Sequence, residues 1–124
     1  MTKSNTATTT NNKLATYVTT TTNQEAYHNL IDTCKTAPTL YLYLKSVRYF
    51  MRYLGLDEEN DFDKLLTRDP KIIQANISQS IVSLRDDRKS SSSTIKSYVA
   101  GLKHFYDMNE ITTLNWRKIN RYQP

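Results

Sequence analysis

The chain has 124 residues and a formal net charge of +5, with 38% hydrophobic and 23% charged residues. That length holds one small domain and excludes a two-domain enzyme, and two glycines and three prolines are too few breakers for an all-β sandwich, a collagen-like chain or a Gly-rich linker protein. The single cysteine, Cys34, excludes an internal disulfide and a Cys-based zinc site, and it fits a reducing cytosol better than a secreted, disulfide-stapled scaffold.

In chain order, residues 1–22 are Thr/Asn-rich and hold too few large apolar side chains to offset ordering entropy. They read as a disordered low-complexity tail, with Leu14, Tyr17 and Val18 as weak anchors. The tail has no apolar segment of the secretory-signal type and lacks the arginines of an organellar transit peptide. Residues 23–124 form the folded domain. No run approaches the ~18–20 apolar residues needed to span a bilayer.

Asn23 is placed to cap a helix from Gln24 to about Lys35, with Ala26, Tyr27, Leu30, Ile31 and Cys34 at a helical period. Thr36-Ala37-Pro38 breaks it and opens a second helix, with Pro38 in the first turn and Thr36 or Ala37 in the capping region. Its core stripe is Leu40, Tyr43, Leu44, Val47, Phe50, Met51 and Leu54, and Gly55 stands where a glycine ends a helix. The other face carries Tyr41, Lys45, Arg48 and Arg52. An acidic connector, Asp57-Glu58-Glu59-Asn60-Asp61-Phe62-Asp63, follows and reads as solvated. Leu65 and Leu66 are expected in a short helical turn. Asp69 and Pro70 start a third helix as cap and first residue, with Ile72, Ile73, Ile77, Ile81 and Leu84 as its apolar stripe and Asp86-Asp87-Arg88-Lys89 as its end. After the serine-rich loop from Ser90, a fourth helix carries Ile95, Tyr98, Val99, Leu102, Phe105 and Tyr106 on one face and Lys96, Ala100, Lys103 and Asp107 on the other, with Asn109 as its stop. A last short helix begins near Asn115 and includes Trp116, Arg117, Lys118, Ile119 and Tyr122. No strand-like alternation competes, so the fold class is all-α, a bundle of four to five helices.

Most catalytic chemistry lacks its residues here. Gly55 and Gly101 stand in separate contexts and cannot build a phosphate-binding glycine loop. His28 and His104 lack metal-ligand spacing, and the carboxylates at 57–63 lack the glycine and terminal glutamate of an EF-hand. Cys34 falls on an apolar stripe and reads as a buried thiol. What remains is charge placement. Residues 37–54 carry +3, residues 55–70 carry −4 and residues 91–124 carry +3. Lys45, Arg48 and Arg52 share one helical stripe and Lys96 and Lys103 another, beside the small Ala100 and Gly101. Such a helix can lie close to a phosphate backbone, and Ser91 to Thr94 add hydroxyls and helix-start N–H groups. Tyr41, on the basic stripe, is a candidate phosphate contact. The competing reading of the same bases is a solvated helix face.

The stretch Ser93-Thr94-Ile95-Lys96-Ser97-Tyr98-Val99-Ala100-Gly101-Leu102-Lys103-His104-Phe105-Tyr106 resembles the last long helix of the core-binding domain of tyrosine recombinases, the phage-integrase family. Thr39-Leu40-Tyr41 through Phe50-Met51-Arg52-Tyr53-Leu54 is similar to that family's first helix, which ends in Phe-x-x-Tyr-Leu. Tyr106-Asp107-Met108-Asn109-Glu110 and Leu114-Asn115-Trp116-Arg117-Lys118-Ile119 are similar to archaeal integrase-like proteins. The resemblance covers about residues 36–122. It implies a SAM-like bundle that forms one half of a clamp around double-stranded DNA, the other half being a separate catalytic domain. The contacts it implies are Thr94, Lys96 and Lys103 on the long helix and Lys45, Arg48 and Arg52 on the first, with Arg117, Lys118 and Arg121 near the linker to the missing half. The family's His-x-x-Arg is absent, since His28 is followed by Asn29-Leu30-Ile31 and His104 by Phe105-Tyr106-Asp107. Strand cleavage by this chain alone is therefore not expected, and Tyr122 reads as a packing or surface residue.

The expected function is a DNA-binding module of a recombinase or integrase, as a split gene product, a truncated remnant or a stand-alone relative. Its expected partners are duplex DNA and a catalytic recombinase domain or other protomers, in the cytoplasm and on the nucleoid. No cofactor, metal, membrane or small-molecule ligand is expected. The alternative is a protein-interaction module that assists or inhibits a recombinase through the acidic segment. A helix-turn-helix transcription factor is disfavoured because Arg85 to Ser93 is too long for the tight turn.

Overall fold

The structure is a computed structural model that describes residues 24–124. The expected tail, residues 1–22, and the expected cap Asn23 lie outside the described residues. Among those described, the chain is all-α, in five helices: α1 (Glu25–Asp32), α2 (Ala37–Tyr53), α3 (Pro70–Val82), α4 (Ser92–Met108) and α5 (Trp116–Asn120). A 3-10 segment (Phe62–Leu66) precedes α3 and a π-turn (Ser83–Asp87) extends it. The two long helices, α2 and α4, pack on each other and form the centre. Helix α1 lies against α2, α4 and the 3-10 segment, and α3 carries α5.

Helix ends follow local chemistry. In α2, Thr36 Oγ1 accepts from Thr39 N–H at 3.3 Å and Pro38 lies in the first turn. At its other end Gly55 takes φ +78°, Leu56 N–H donates to Met51 O (2.8 Å) and Gly55 N–H to Arg52 O (3.0 Å), a complete Schellman closure. In α3, Asp69 Oδ1 accepts from Lys71 N–H at 2.8 Å, with Pro70 as first residue. In α5, Asn115 Oδ1 accepts from Lys118 N–H at 3.0 Å.

Two local expectations change, and the expected stop of α4 at Asn109 holds. Helix α1 ends at Asp32, short of Lys35, and its start is capped by a distant residue: Ala26 N–H donates to Asp63 Oδ1 at 3.0 Å. Ile72 is 53% exposed. The buried set of α3 and its π-turn is Ile73, Ile77, Ile81 and Leu84, and Ile72 lies about 100° off that line. Helix α4 closes with a second Schellman pattern, Ile111 N–H to Tyr106 O (2.9 Å) and Glu110 N–H to Asp107 O (3.1 Å). There Asn109 is the C-cap, and the left-handed position belongs to Glu110, at φ +65°. A left-handed L-residue costs roughly 1–2 kcal/mol that glycine avoids. Glu110→Gly is therefore expected to stabilise the fold by about 1 kcal/mol and raise Tm by about 4–8 °C in a thermal melt.

The core gathers the predicted stripes. Ala26, Tyr27, Leu30, Ile31 and Cys34 are buried, as are Leu40, Leu44, Val47, Phe50 and Met51, and Ile95, Tyr98, Val99, Leu102, Phe105 and Tyr106. Tyr43 and Leu54 are half-buried against them. Buried hydroxyls are satisfied. Tyr106 donates to Leu65 O at 3.1 Å. Ser80 donates to Ile77 O (2.7 Å), which leaves Tyr98 as the donor in its 2.7 Å bond to Ser80 Oγ. Gly101 is buried on the α2 side of α4. A Cβ there would meet Ser46 Cβ at 2.8 Å, Ser46 Oγ at 2.9 Å and Tyr43 Cα at 3.2 Å. The smallness of Gly101 thus serves the approach of two helices rather than the approach of a ligand.

Candidate nucleic-acid interface

The basic stripe of α2 is built by its period, and its members have different surroundings. Lys45 is exposed, with Nζ 5.9 Å from the Tyr41 ring centre. Arg48 is half-buried. Its guanidinium lies over Phe62 (5.9 Å) and its Nε donates to Glu58 O at 3.3 Å. Arg52 is exposed and forked onto Glu58, Nε to Oε2 at 3.0 Å and Nη2 to Oε1 at 3.3 Å. That hydrogen-bonded carboxylate raises the Arg52 pKa further.

The acidic connector is therefore more than a solvated spacer. Asp57 Oδ1 accepts from the N–H groups of Glu59 (2.8 Å) and Asn60 (3.2 Å), and the Glu59 bond leads in holding its carboxyl below the usual range. Asp61 accepts from Asp57 N–H (2.9 Å) and pairs with Lys64 (3.2 Å), while Asp63 caps α1. Gln24 brackets the connector, donating to Glu59 O and accepting from Asp63 N–H, both at 3.0 Å. Carboxylates so employed hold the connector to α1 and α2.

Between α2 and the start of α4 runs a groove of about 380 Å³. Lys45 and Arg52 reach it from α2, Arg88 from the α3–α4 loop, and Ser93, Thr94 and Ser97 from the first turns of α4. Tyr49 joins the cations. Its ring lies 5.8 Å from the Arg52 guanidinium and 5.9 Å from that of Arg88, and it meets Tyr98 edge-on at 5.5 Å. Ser91 caps α4, its Oγ accepting from Thr94 N–H at 3.1 Å and donating to Thr94 Oγ1 at 2.9 Å.

Of the residues expected from sequence, Lys45, Arg52 and Thr94 come together in this groove. Tyr41 stands beside Lys45, and Arg48 turns to Phe62 and the connector. Lys96 and Lys103 lie elsewhere. Lys96 is one position from Ser97, hence roughly 100° around α4, and it shares its stripe with Lys103, which pairs with Asp107 at 2.8 Å. Lys118 lines a different groove, between α3 and α5, with the exposed Arg117 on the same short helix. Arg88 carries no sequence signal for this groove, because Asp86-Asp87-Arg88-Lys89 reads as a helix terminus. Its neighbour Lys89, at φ +55°, carries the chain into the left-handed region there, and Ser90 N–H donates back to Leu84 O (2.9 Å).

The remaining reactive side chains serve packing. Thr33 Oγ1 donates to Asn29 O (2.7 Å), so the His104 Nε2–H donates to Thr33 Oγ1 (2.8 Å), with its ring 5.0 Å from Tyr43. Burial lowers the His104 pKa, and Asp107 opposes the shift. Cys34 is buried and donates to Leu30 O at 3.3 Å. Among the described residues no three His, Cys, Asp or Glu side chains cluster as metal ligands, and no helix is long and apolar enough to cross a membrane. Comparison with protein-family models, curated proteins and solved structures finds no match.

Proposed function

We propose that the chain is a DNA-binding module that holds duplex DNA by its phosphates, in the manner of the core-binding half of a tyrosine recombinase, and does not itself cut the strand. The observation that carries this reading is the meeting of Lys45 and Arg52 from α2 with Arg88 from the α3–α4 loop in one groove edged by the hydroxyls of Ser93, Thr94 and Ser97. Cations neutralise phosphates, and hydroxyls fix the register of the backbone. The exposed Arg52–Glu58 pair is worth only about 0–1 kcal/mol, so a phosphate can take the place of Glu58. Lys96, exposed on the adjoining face of α4, extends the cationic surface.

The test is fluorescence anisotropy of a labelled three-turn duplex across a salt series. Three phosphates neutralised by Lys45, Arg52 and Arg88 predict a slope of log K against log salt of about −2.7. Lys45→Ala with Arg88→Ala is expected to weaken binding about tenfold at low salt and to make the slope shallower by about 1.8. A flat salt response, or a double variant that binds like the parent, would sink the proposal.

A further inference from the structure

Of the cations expected from sequence, Lys45 and Arg52 line the first groove, and Lys118 lines a second one across α3. Helix α3 separates them. Its Ser80 side holds Tyr98, which leans on Tyr49 at the first groove. Lys71, Ser78 and Val82 lie roughly 180° around α3 from Ser80. With Thr113, Lys118 and Tyr122 they line a groove of about 800 Å³ against α5. No carboxylate lines it, and residues 111–124 contain Arg117, Lys118 and Arg121 and no acid. Gln74 fixes the α5 wall by accepting from Asn115 N–H at 2.9 Å, and Arg85 Nη1 donates to Tyr122 O at 3.0 Å. The cations are thus carried on a braced wall.

We infer that this second groove takes a second DNA duplex, so that one chain bridges two DNA segments. The inference rests on the DNA-binding reading of the first groove. The lining favours a phosphate backbone over an acidic peptide. Lysines, amides and hydroxyls are the usual partners of phosphate and sugar, whereas peptide grooves need apolar anchor pockets or an open strand edge. Here only Ala75, Val82 and Tyr122 are non-polar.

The experiment is capture of a fluorescent duplex by a bead-bound duplex in the presence of the full chain at low salt, run beside single-duplex anisotropy. The wild type is expected to retain the free duplex. Lys71→Ala with Lys118→Ala is expected to cut retention about tenfold while changing the single-duplex Kd less than about twofold. Both side chains are exposed and form no ion pair among the described residues, so the variant should keep its circular dichroism spectrum and Tm. A wild type that binds one duplex but captures no second one overturns bridging and leaves the first groove standing. Retention undiminished in the variant, together with a dimer mass in light scattering, assigns bridging to a protein–protein contact and likewise overturns it. Absence of single-duplex binding overturns both readings.

Discussion

Raising the pH above 10 is expected to unfold the bundle cooperatively, with ionisation of its three buried tyrosines and loss of helix occurring in one transition. Three phenols are buried in the core. Burial pushes Tyr27 up to about 12, against the pull of Arg48, and lifts Tyr98 and Tyr106 well above the ordinary tyrosine range. The hydrogen bonds act on these two in different ways. Ser80 partly offsets the burial of Tyr98. Tyr106, once ionised, would face the Leu65 carbonyl to which it now donates. All three pKa values are raised, so the folded state keeps protons that the unfolded chain releases. Their stabilisation is complete below the unfolded pKa of about 10 and is lost as pH climbs toward the folded values. Each group contributes about 1.4 kcal/mol per pH unit in that window, and three together about 4 kcal/mol. Cys34, pushed up to about 11 by burial, adds a loss of the same sign beginning near pH 9. At that slope a stability near the lower end of the usual range of about 5–15 kcal/mol is exhausted by about pH 11, and a larger one at correspondingly higher pH. Far-ultraviolet circular dichroism and the tyrosinate absorbance of these three buried rings should therefore change together. Tyrosines that all ionise near pH 10 with the helices intact would contradict the burial of these rings.

The second large effect lies at Gly101. Alanine there would put a methyl group 2.8 Å from Ser46 Cβ and 3.2 Å from Tyr43 Cα, atoms close to the α2 backbone that cannot swing aside. Overpacking of this kind costs about 1–3 kcal/mol, and backbone-proximal contacts place it at the upper end. Alanine returns about 1 kcal/mol of helix propensity. The net loss of roughly 2 kcal/mol should lower Tm by about 8–16 °C. In a Ser46→Gly background the two nearest atoms are gone, and the same alanine should cost less than about 1 kcal/mol. A neutral Gly101→Ala in the parent would mean that α2 and α4 stand farther apart than the structure has them.

Both effects sit on helices whose existence and inward faces were readable from sequence. Pro38, Gly55 and a continuous period over Leu40 to Leu54 announce α2, and Ile95 to Tyr106 announces α4. The features that escaped have no local signature. Asp63 caps a helix 37 residues earlier, and nothing around Asp63 or Ala26 encodes that partnership. The π-turn after Val82 changes the helical phase without a proline or glycine to mark it. Glu110 occupies a position where sequence reasoning looks for glycine or asparagine. The groove between α2 and α4 is partly legible for the same reason. Stripes within one helix are visible, and of the stripe Lys45, Arg48 and Arg52 the first and last line one groove while Arg48 turns to Phe62 and the connector. Which stripes meet across helices depends on packing, and packing brought Thr94 and Ser97 to Lys45 while turning Lys96 and Lys103 aside. Arg88 needed the loop to be folded before it could be placed beside Tyr49.

The borrowed cap of α1 also bears on how the chain acquires its structure during synthesis. The eight residues of α1 fall below the ~12–15 that an isolated helix needs, and Gln24 gives it no side-chain cap of its own. On the ribosome this segment emerges before Asp63 exists. The Ala26 amide then lacks its Asp63 acceptor until the connector and the 3-10 segment have been made and docked. The first described helix in the sequence is thus placed to be a late one to become permanent. A nascent chain stalled before residue 63 would be expected to leave that segment open to proteases.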